Sequence, residues 1–274
     1  MKDNVKRIAT GIIFMIVIIA VLVLNNTIVD TVFVTLLSLC GIYEYNKCFK
    51  AKNIHPIPLV GYISCLVIPL LGTTLDLSIK LAISAIWMIV ALIYMFTYIV
   101  IKKLEINIID VAVTIFSIIF VPFMFSFIKL LLLLTHGRIY LLLAFGCSTA
   151  TDTFAYEIGS RFGKHKLTPV SPKKSIEGSI AGIIGAMVVC AIISFITNTY
   201  CDTNFNIILV TLMGAILSVV GQIGDLAASS IKRYCEVKDF GKLMPGHGGI
   251  LDRFDSILFI APLMYALVYI SSII

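Results

Sequence analysis

The sequence predicts an all-α, polytopic integral membrane protein with about nine transmembrane helices. Of its 274 residues, 59% are hydrophobic and only 13% are charged, which is more apolar than a soluble domain needs to be. The hydrophobic residues form continuous runs, most of them long enough to cross a bilayer as helices. A chain in lipid must also satisfy its own backbone hydrogen bonds, and these runs lack the alternating pattern of a membrane β-barrel.

Nine apolar runs follow one another, and each predicts one span. The runs are Ile8–Leu24, Thr27–Ile42, Ile57–Leu75, Leu81–Ile101, Ile108–Leu134, Ile139–Ile158, Gly178–Thr197, Asn206–Gly224 and Ser256–Ile273. The first two are short and also fit one re-entrant hairpin, and the fifth is long enough to tilt or to break at Pro122. Lys2, Lys6 and Arg7 resemble the start of a signal peptide, but no small-residue cleavage site follows, so we expect a retained first span.

The distribution of basic residues predicts the orientation in the membrane. With a cytoplasmic N-terminus and an outside C-terminus, 18 of the 21 Lys and Arg residues fall in cytoplasmic segments, as the positive-inside rule requires. We therefore expect a multi-pass protein of the cell's inner (plasma) membrane. The net charge of +6 suits a surface that faces anionic headgroups, and nucleic acid is not expected as a partner because no basic soluble domain is present.

Two cytoplasmic segments, 159–177 and 225–255, are polar enough to carry chemistry, because the connections between the other spans are short. We expect residues 1–138 to form a transmembrane scaffold of about five spans. Residues 139–274 are then expected to form a catalytic transmembrane region of about four spans that contains both polar segments.

The first polar segment follows a carboxylate within the sixth run. Asp152 lies roughly 20 Å along the helix from the start of this run, at 1.5 Å per residue. A charge at that depth costs about 2.5–3.5 kcal/mol, so Asp152 either faces a polar pocket or reaches the interface or a nearby hydroxyl. Ser171, Lys173 and Lys174 precede the next span, where hydroxyl and ammonium donors beside a helix N-terminus suit phosphate. An ordinary basic loop has the same composition.

The second polar segment adds more carboxylates. If the eighth helix continues beyond its apolar run, then one face carries Asp225, Ser229 and Lys232 at i, i+4 and i+7, unless this spacing is accidental. Asp252 and Asp255 are three residues apart and share a face of the last helix. Carboxylates from two helices at one depth repel each other unless a hard cation such as Mg²⁺ or Mn²⁺ lies between them.

A glycine-rich loop precedes the last helix, with the sequence Pro245-Gly246-His247-Gly248-Gly249. Its glycines allow a backbone to approach a phosphate closely. Together with the carboxylates and the Lys and Arg residues, this loop predicts a metal-dependent enzyme that transfers a phosphoryl or nucleotidyl group at the cytoplasmic leaflet.

Fixed spacings in both polar segments match one known family. The longer motif is Ser229-x-Ile231-Lys232-Arg233-x4-Lys238-Asp239-x-Gly241, followed by Pro245-x-His247-Gly248-Gly249-Ile250-x-Asp252-Arg253-Phe254-Asp255. The shorter motifs are Asp152-Thr153-x-Ala155-Tyr156, Phe162-Gly163-Lys164 and Ser171-Pro172-Lys173-Lys174-x-x-Glu177-Gly178. Together they resemble the phosphatidate cytidylyltransferase (CDP-diacylglycerol synthase) family. Met244, Ser175 and Ile176 depart from its usual residues, and these departures affect packing rather than chemistry.

The resemblance implies that CMP is transferred from CTP to phosphatidate, which gives CDP-diacylglycerol and pyrophosphate. It implies Mg²⁺ as the cofactor, with K⁺ as a candidate second cation and Mn²⁺ as a substitute, and it implies a homodimer among membrane lipids. The runner-up is a CTP-dependent polyprenol kinase or another membrane phosphotransferase. An ion or lipid transporter that uses the same carboxylates is a further, less favoured alternative. It would show charges at mid-membrane in several spans, whereas only Asp110 in the fifth run fits, and its flanks place it near the cytoplasmic end.

The resemblance and the spacings together assign the site residues. The predicted catalytic residues are Asp225, Ser229, Lys232 and Asp252. The predicted metal ligands are Asp225 and Asp252, with Asp255 as a further candidate. The predicted substrate-binding residues are Asp152, Ser171, Lys173, Lys174, Arg233, Lys238, His247, Gly248, Gly249 and Arg253. We expect Lys173 and Lys174 to meet the lipid phosphate, and Lys232, Arg233 and the Gly248–Gly249 backbone to hold triphosphate oxygens. Arg253 alternatively pairs with Asp239 or Asp255.

Overall fold

The computed structural model describes residues 11, 16–24, 26–70, 76–102, 105–201, 203–244, 246 and 248–271. The regular elements in these ranges are helices, which confirms the predicted all-α class. They are α1 (16–24), α2 (Thr27–Lys50), α3 (Pro58–Leu70), α4 (Leu77–Ile101), α5 (Ile108–Ile118), a π-helical turn (Ile119–Phe123), α6 (Met124–Leu132), α7 (Gly137–Phe162), α8 (Ile176–Tyr200), α9 (Ile207–Tyr234) and α10 (Leu251–Ser271).

Among the residues that the structure describes, six helical stretches are long and apolar enough to cross a membrane. They are Thr27–Lys50, Ser78–Ile101, Ile108–Leu132, Ile176–Tyr200, Ile207–Tyr234 and Leu251–Ile270. Helix α3 has only 13 residues, and α7 has 26 residues but is more polar. The described helices follow the predicted apolar runs in order, although much of the first run lies outside the described residues. The count of nine spans and the sides of the two termini stay predictions.

Pro122 does not break the fifth run. The helix continues from α5 to α6 through the π-helical turn Ile119–Phe123, which contains this proline. Proline lacks a backbone N–H and clashes with the preceding turn of an α-helix, and a wider π turn accommodates both effects. The run therefore remains one continuous helical segment from Ile108 to Leu132.

The chain forms two compact units. The N-terminal unit comprises Met1–Leu133 and Tyr234–Arg253, and the C-terminal unit comprises Leu134–Arg233 and Phe254–Ile274. The loop that precedes α10 thus groups with the first half of the chain. Compactness is a different property from function, so the predicted division into a scaffold (1–138) and a catalytic region (139–274) stays a prediction.

Within the N-terminal unit, α2 packs against α3, α5, α6 and the π turn. The Tyr45 ring of α2 lies 4.6 Å from the Phe49 ring and 6.2 Å from the Phe120 ring, measured between centroids. The buried ammonium of Lys129 donates to the Thr27 carbonyl and the Thr31 hydroxyl, both at 2.6 Å. Charged groups buried in this unit are therefore held by hydrogen bonds to the backbone and to hydroxyls, as burial requires.

The same is true of Asp110, the intramembrane carboxylate that the transporter alternative would use. Its side chain accepts hydrogen bonds from the backbone N–H groups of His55 (2.6 Å) and Asn107 (2.8 Å). Asn107 in turn caps α5, so the two residues form a capping box. This arrangement indicates a structural role for Asp110.

Within the C-terminal unit, small residues bring α7 and α8 close together. A Cβ atom added to Gly178 would lie 3.0 Å from the Gly159 Cα atom, and one added to Gly182 would lie 2.9 Å from the Thr151 carbonyl oxygen. Small residues at a helix interface allow this approach in membranes, where the hydrophobic effect does not drive helices together. The close contact positions the polar loop that joins the two helices.

Candidate active site

The first polar segment lies beside a cavity of about 220 Å³ in the C-terminal unit. The lining residues are Thr151, Asp152, Ala155, Tyr156, Leu167, Ser171, Lys173, Lys174, Ser175, Gly178, Ser179 and Gln222. Four of the predicted substrate-binding residues are thus brought together here: Asp152, Ser171, Lys173 and Lys174. A hydroxyl and two ammonium groups around one cavity form a suitable environment for a phosphate.

The loop that supplies these residues is held by its own hydrogen bonds. The Lys174 N–H donates to the Ser171 carbonyl at 3.0 Å, which closes a turn with Pro172 at its second position, where proline is favoured. At the end of the loop, the Ile176 N–H donates to the His165 carbonyl at 3.0 Å. These bonds fix the position of the lysines relative to the start of α8.

An ion pair joins the two polar segments. The Lys174 ammonium pairs with the Asp225 carboxylate of α9, and their side chains are 25% and 22% exposed. Helix α9 extends to Tyr234, which confirms that it continues beyond its apolar run. Asp225, Ser229 and Lys232 therefore lie on one helix at the spacing that places them on one face.

Residues that line the cavity also form a polar network, which was not predicted from the sequence. The Ser179 hydroxyl donates to the Gln222 side-chain oxygen, and the Gln222 amide donates to the Ser179 carbonyl at 3.3 Å. The Thr151 hydroxyl donates to the Ser218 hydroxyl at 2.8 Å. The available signal was Gln222 itself, a polar residue in an apolar run, three positions before Asp225 on the helix.

Carboxylates gather near the start of α10 within the C-terminal unit. Asp225 and Asp152, together with the Lys232 ammonium, lie close enough to Asp255 to act on its carboxylate electrostatically. Gly224 permits this approach, because a Cβ atom there would lie 2.8 Å from the Asp255 carbonyl oxygen. The predicted site residues Asp225 and Asp255 thus share one electrostatic environment.

These oxygen donors fit Mg²⁺, which enzymes commonly hold with one or two carboxylates while substrate phosphates and water complete the coordination. In the part of the chain that the structure describes, no group of three or more Asp, Glu, His or Cys side chains forms a metal site by itself. The predicted pairing of Asp225 with Asp252 stays a prediction.

Asp252 has a defined place in the N-terminal unit. Its Oδ2 atom accepts hydrogen bonds from the backbone N–H groups of Gly249 and Phe240, both at 2.9 Å. The loop also closes on itself, since the Met244 N–H donates to the Gly248 carbonyl at 2.9 Å. Gly248 has φ of 84°, a left-handed conformation that favours glycine. Asp252 therefore anchors the glycine-rich loop.

Glu44 of α2 is a second anchor, which sequence reasoning missed. The residue is 0% exposed, and its two carboxylate oxygens accept hydrogen bonds from the Ile250 and Leu251 N–H groups, each at 3.0 Å. Free N–H groups at a helix N-terminus attract an anion. In this protein that anion is Glu44. The available signal was that Glu44 is the sole acidic residue between positions 31 and 75.

Glu44 also explains two of the glycines. A Cβ atom at Gly241 or Gly249 would overlap the Glu44 carboxylate, so these positions leave space for a protein side chain. The Gly249 N–H, which was predicted to bind phosphate oxygens, donates to Asp252 instead. The predicted role of Gly248 in phosphate binding stays a prediction.

The remaining predicted residues lie mostly at the surface. Lys238 and Arg253 are exposed, and Ser229 and Lys232 are partly buried on α9. The exposed Arg233 has its Nε atom 3.5 Å from the Val170 carbonyl oxygen. His247 lies outside the described residues. The structure therefore gathers the lipid-phosphate residues more clearly than those predicted for CTP.

The chain is similar to one family along nearly its whole length. The model of the cytidylyltransferase family matches residues 5–271. The phosphatidate cytidylyltransferase of Staphylococcus haemolyticus is 35% identical over 259 residues, which cover 94% of this chain and 96% of the relative. That of Staphylococcus aureus (strain COL) is 35% identical over 263 residues with the same coverage. That of Staphylococcus saprophyticus is 41% identical over 169 residues, covering 61% of this chain and 63% of the relative.

Proposed function

The chain belongs to the cytidylyltransferase family, and from this we propose that it is a phosphatidate cytidylyltransferase, a nucleotidyltransferase of phospholipid biosynthesis. It joins CTP and phosphatidate to give CDP-diacylglycerol and pyrophosphate. The single observation that carries this proposal is the cavity beside Ser171, Lys173 and Lys174, in a chain that matches the family throughout.

We assign the lipid phosphate to this cavity. Lys173 and the Ser171 hydroxyl donate to its oxygens, and Lys174 stands between it and Asp225. Hydrogen bonds between charged groups are short and about twice as strong as neutral ones. The turn that closes at Lys174 keeps these donors in place before the substrate arrives, which lowers the cost of ordering them.

The reaction needs no nucleophile from the protein. An oxygen of the phosphatidate phosphate attacks the α-phosphorus of CTP, the bond between the α- and β-phosphates breaks, and pyrophosphate leaves with the electron pair. Two anions must be held in line against their mutual repulsion, so positioning and charge neutralisation supply most of the catalysis. Lys232 and Arg233 are assigned to the triphosphate, as are the predicted residues Lys238, His247 and Arg253.

We propose that Asp225 holds Mg²⁺, with Asp252 as the second ligand that the family resemblance implies, Asp255 as a further candidate and K⁺ as a second cation. When bound, Mg²⁺ neutralises the triphosphate and the departing pyrophosphate. The carboxylate oxygens of these residues are the donors that Mg²⁺ prefers. Ser229, one turn beyond Asp225 on α9, is assigned to orienting a phosphate oxygen.

The protein is a multi-pass membrane protein. We infer further that it resides in the cell's inner (plasma) membrane with its active site on the cytoplasmic side, because the basic residues concentrate in the segments that would face the cytoplasm. The family resemblance supports a homodimer.

The test is pyrophosphate release by the purified full chain in detergent micelles with phosphatidate, CTP and Mg²⁺. We expect release from the wild type that depends on both the lipid and Mg²⁺. Asp225→Asn keeps the shape of the side chain but removes the charge, so we expect release to fall by about 100-fold or more, as for the loss of one transition-state contact. Glu157→Gln is the matched control, because Glu157 is an exposed carboxylate of the same unit that pairs with Arg161.

Two results would contradict the proposal. Release of CDP instead of pyrophosphate would indicate a CTP-dependent kinase. Absence of any product from folded wild type, across several lipids and divalent metals, would exclude the reaction. Full activity of Asp225→Asn would keep the reaction and remove Asp225 from its catalytic residues.

A further inference from the structure

A second cavity, of about 290 Å³, lies in the N-terminal unit where α2 ends and α3 begins. We call it the α2–α3 groove, and its lining residues are Tyr43, Asn46, Lys47, Lys50, Pro58 and Tyr62. None of these residues belongs to the motifs of the two polar segments or to the site assigned to the reaction.

The groove contains a buried amide without a partner. Asn46 is 5% exposed, and neither its Oδ1 nor its Nδ2 atom has a hydrogen-bond partner among the described residues. Leaving such a buried polar group unpaired costs free energy, and native structures normally avoid this. An unpaired amide in the wall of a cavity points to a partner that enters the cavity.

The charge of the groove identifies the sign of that partner. Lys47 and Lys50 are exposed and lie on successive turns of α2. Neither forms an ion pair with a described residue, and no acidic side chain lines the groove. The Lys47 ammonium lies 5.9 Å from the centre of the Tyr43 ring. Two ammonium groups and an amide donor suit an anion with several acceptor oxygens.

Exposed apolar side chains continue from the groove along both helices, as expected for a site that a lipid occupies. On α2, the stripe through Lys47 and Tyr43 continues to Leu36, which is 55% exposed. On α3, the stripe through Tyr62 continues to Leu66, which is 52% exposed. Tyrosines with lysines at one end and exposed leucines at the other are typical of helices at the interface between headgroups and hydrocarbon.

A close helix contact lies beside the groove in sequence, next to Tyr43 and Tyr62. A Cβ atom on Gly61 of α3 would lie 3.1 Å from a methyl carbon of Ile42 on α2. The two backbones thus approach each other next to Tyr62 and Tyr43, whose larger side chains form the walls. Closely packed helices hold Tyr43 and Tyr62 in place, so the groove can hold a headgroup in one position, whereas a flat basic surface cannot.

We propose that the α2–α3 groove binds the headgroup of an anionic membrane phospholipid, with the phosphate at Lys47 and Lys50, a hydrogen bond to Asn46, and the acyl chains along Leu36 and Leu66. This site is separate from the residues assigned to the reaction. It binds its lipid as a ligand and does not transform it.

The probe is phosphatidylglycerol, which is anionic and is not the substrate proposed above. The full chain is placed in nanodiscs of phosphatidylcholine alone or with added phosphatidylglycerol, and the rate at which an amine-reactive reagent labels each lysine is measured by mass spectrometry. We expect phosphatidylglycerol to slow the labelling of Lys47 and Lys50 by about fivefold each, because a hydrogen bond of about 1 kcal/mol to the bound headgroup occupies each amine.

Lys102 is the matched control within the same molecule. Its ammonium also lies 5.9 Å from the centre of a tyrosine ring, that of Tyr98, at the end of a helix, but it does not line the groove. We expect its labelling rate to change much less. Equal slowing at Lys102 would show only general attraction to an anionic surface and would overturn the proposal. Equal slowing by inorganic phosphate without phosphatidylglycerol would identify a site for free anions and would also overturn it.

Two variants test the site without depending on enzyme activity. Asn46→Leu removes the amide but keeps both lysines, and we expect the slowing at Lys47 and Lys50 to fall by at least half. Lys47→Ala combined with Lys50→Ala should abolish the rise in melting temperature that phosphatidylglycerol gives the wild type, whereas Lys102→Ala should retain it. Melting in phosphatidylcholine alone checks that each variant folds. Unchanged protection in Asn46→Leu would contradict a built headgroup site.

Discussion

The loop that contains Lys173 and Lys174 and the glycine-rich loop both precede a helix, but their polar groups have different partners. In the first, Lys173 and Lys174 line a cavity, and their loop is closed by backbone hydrogen bonds. In the second, the N–H groups of the loop and of the start of α10 donate hydrogen bonds to the carboxylates of Asp252 and of Glu44, which lies on α2. The first loop therefore presents polar groups to a ligand, whereas N–H groups of the glycine-rich loop and of the start of α10 are satisfied within the protein.

The difference shows that a glycine-rich loop before a helix is ambiguous evidence for a phosphate site. Such a loop leaves N–H groups free and space around them, and any anion of suitable size satisfies both. Here a glutamate from α2 takes that place, and the glycines at 241 and 249 make room for it. The space is the same in either case, and only the partner differs.

The largest effect is expected from Glu44→Ala, which tests whether the N–H groups at the start of α10 depend on an acceptor within the protein. The substitution leaves two buried N–H groups at the start of α10 without an acceptor. Because hydrogen bonds to a charged group contribute about 1.5–3 kcal/mol each, we expect a loss of about 3–5 kcal/mol of stability, measured as a large fall in the melting temperature in detergent, with loss of activity.

Glu44→Gln should fall between the wild type and Glu44→Ala. The glutamine offers one acceptor oxygen, but its NH₂ group faces a second N–H donor. Glu157→Ala removes an exposed carboxylate and is the control that should change little. A melting temperature for Glu44→Ala equal to that of the control would show that the loop does not depend on this anchor.

A smaller effect is expected from Gly249→Ala. The added methyl group would overlap the Glu44 carboxylate, and overpacking of this kind costs about 1–3 kcal/mol. The melting temperature should fall accordingly. Gly61→Ala is the matched control, because its methyl group meets a side-chain carbon at 3.1 Å and a small shift relieves the contact. If the two variants have the same melting temperature, then Glu44 can move aside, and it holds the glycine-rich loop less tightly than the structure indicates.

Lys173→Ala tests whether the first segment presents its lysines to a ligand in the cavity. We expect the apparent KM for phosphatidate to rise about tenfold, which corresponds to one charged hydrogen bond of about 1.4 kcal/mol, with the KM for CTP and the melting temperature nearly unchanged. Lys166→Ala, in the same loop but outside the cavity, should leave the KM unchanged. A large fall in melting temperature for Lys173→Ala would mean that both segments are structural, and the comparison would fail.

The smallest effect is expected at the exposed ion pair between Lys52 and Glu236. The pair raises the pKa of Lys52 above 10.5 and lowers that of Glu236 below 4.5, in both cases chiefly through their side-chain hydrogen bond. Stabilisation from Glu236 is therefore present above pH 4.5 and is lost as the pH falls through the lowered pKa. Stabilisation from Lys52 is present below pH 10.5 and is lost as the pH rises through the raised pKa.

Both side chains are solvated, so screening leaves little net stabilisation. We expect Lys52→Ala to melt within experimental error of the wild type at neutral pH. Any difference should disappear toward either end of the pH range, and a difference that grows in acid would contradict this assignment.

Local patterns predicted much of this molecule. The run Ile108–Leu134 became a helical segment that ends at Leu132, because apolar length alone determines such an element. Ser171, Lys173 and Lys174 came together as predicted, because they are neighbours in sequence and a single turn closes at Pro172. The placement of Asp225 and Lys232 on one helix could be predicted equally well from their spacing in the sequence.

Contacts between residues that are far apart in the chain could not be predicted from the sequence. The hydrogen bond from Ile250 to Glu44 spans 206 residues, and nothing in the neighbourhood of Glu44 specifies its partner. Gln222 meets Ser179 across 43 residues for the same reason. The first half of the chain supplies the carboxylate that anchors the glycine-rich loop, a contact that its own sequence does not indicate.

The length of that connection also sets an order of events during biosynthesis. Translation proceeds at about 5–20 residues per second, so the 206 residues between Glu44 and Ile250 take roughly 10–40 s to make. When helices enter the membrane as they are synthesised, α2 waits for that time with a carboxylate whose partners do not yet exist. The nascent chain must therefore keep Glu44 protonated, hydrated or shielded by the insertion machinery until the last helix emerges.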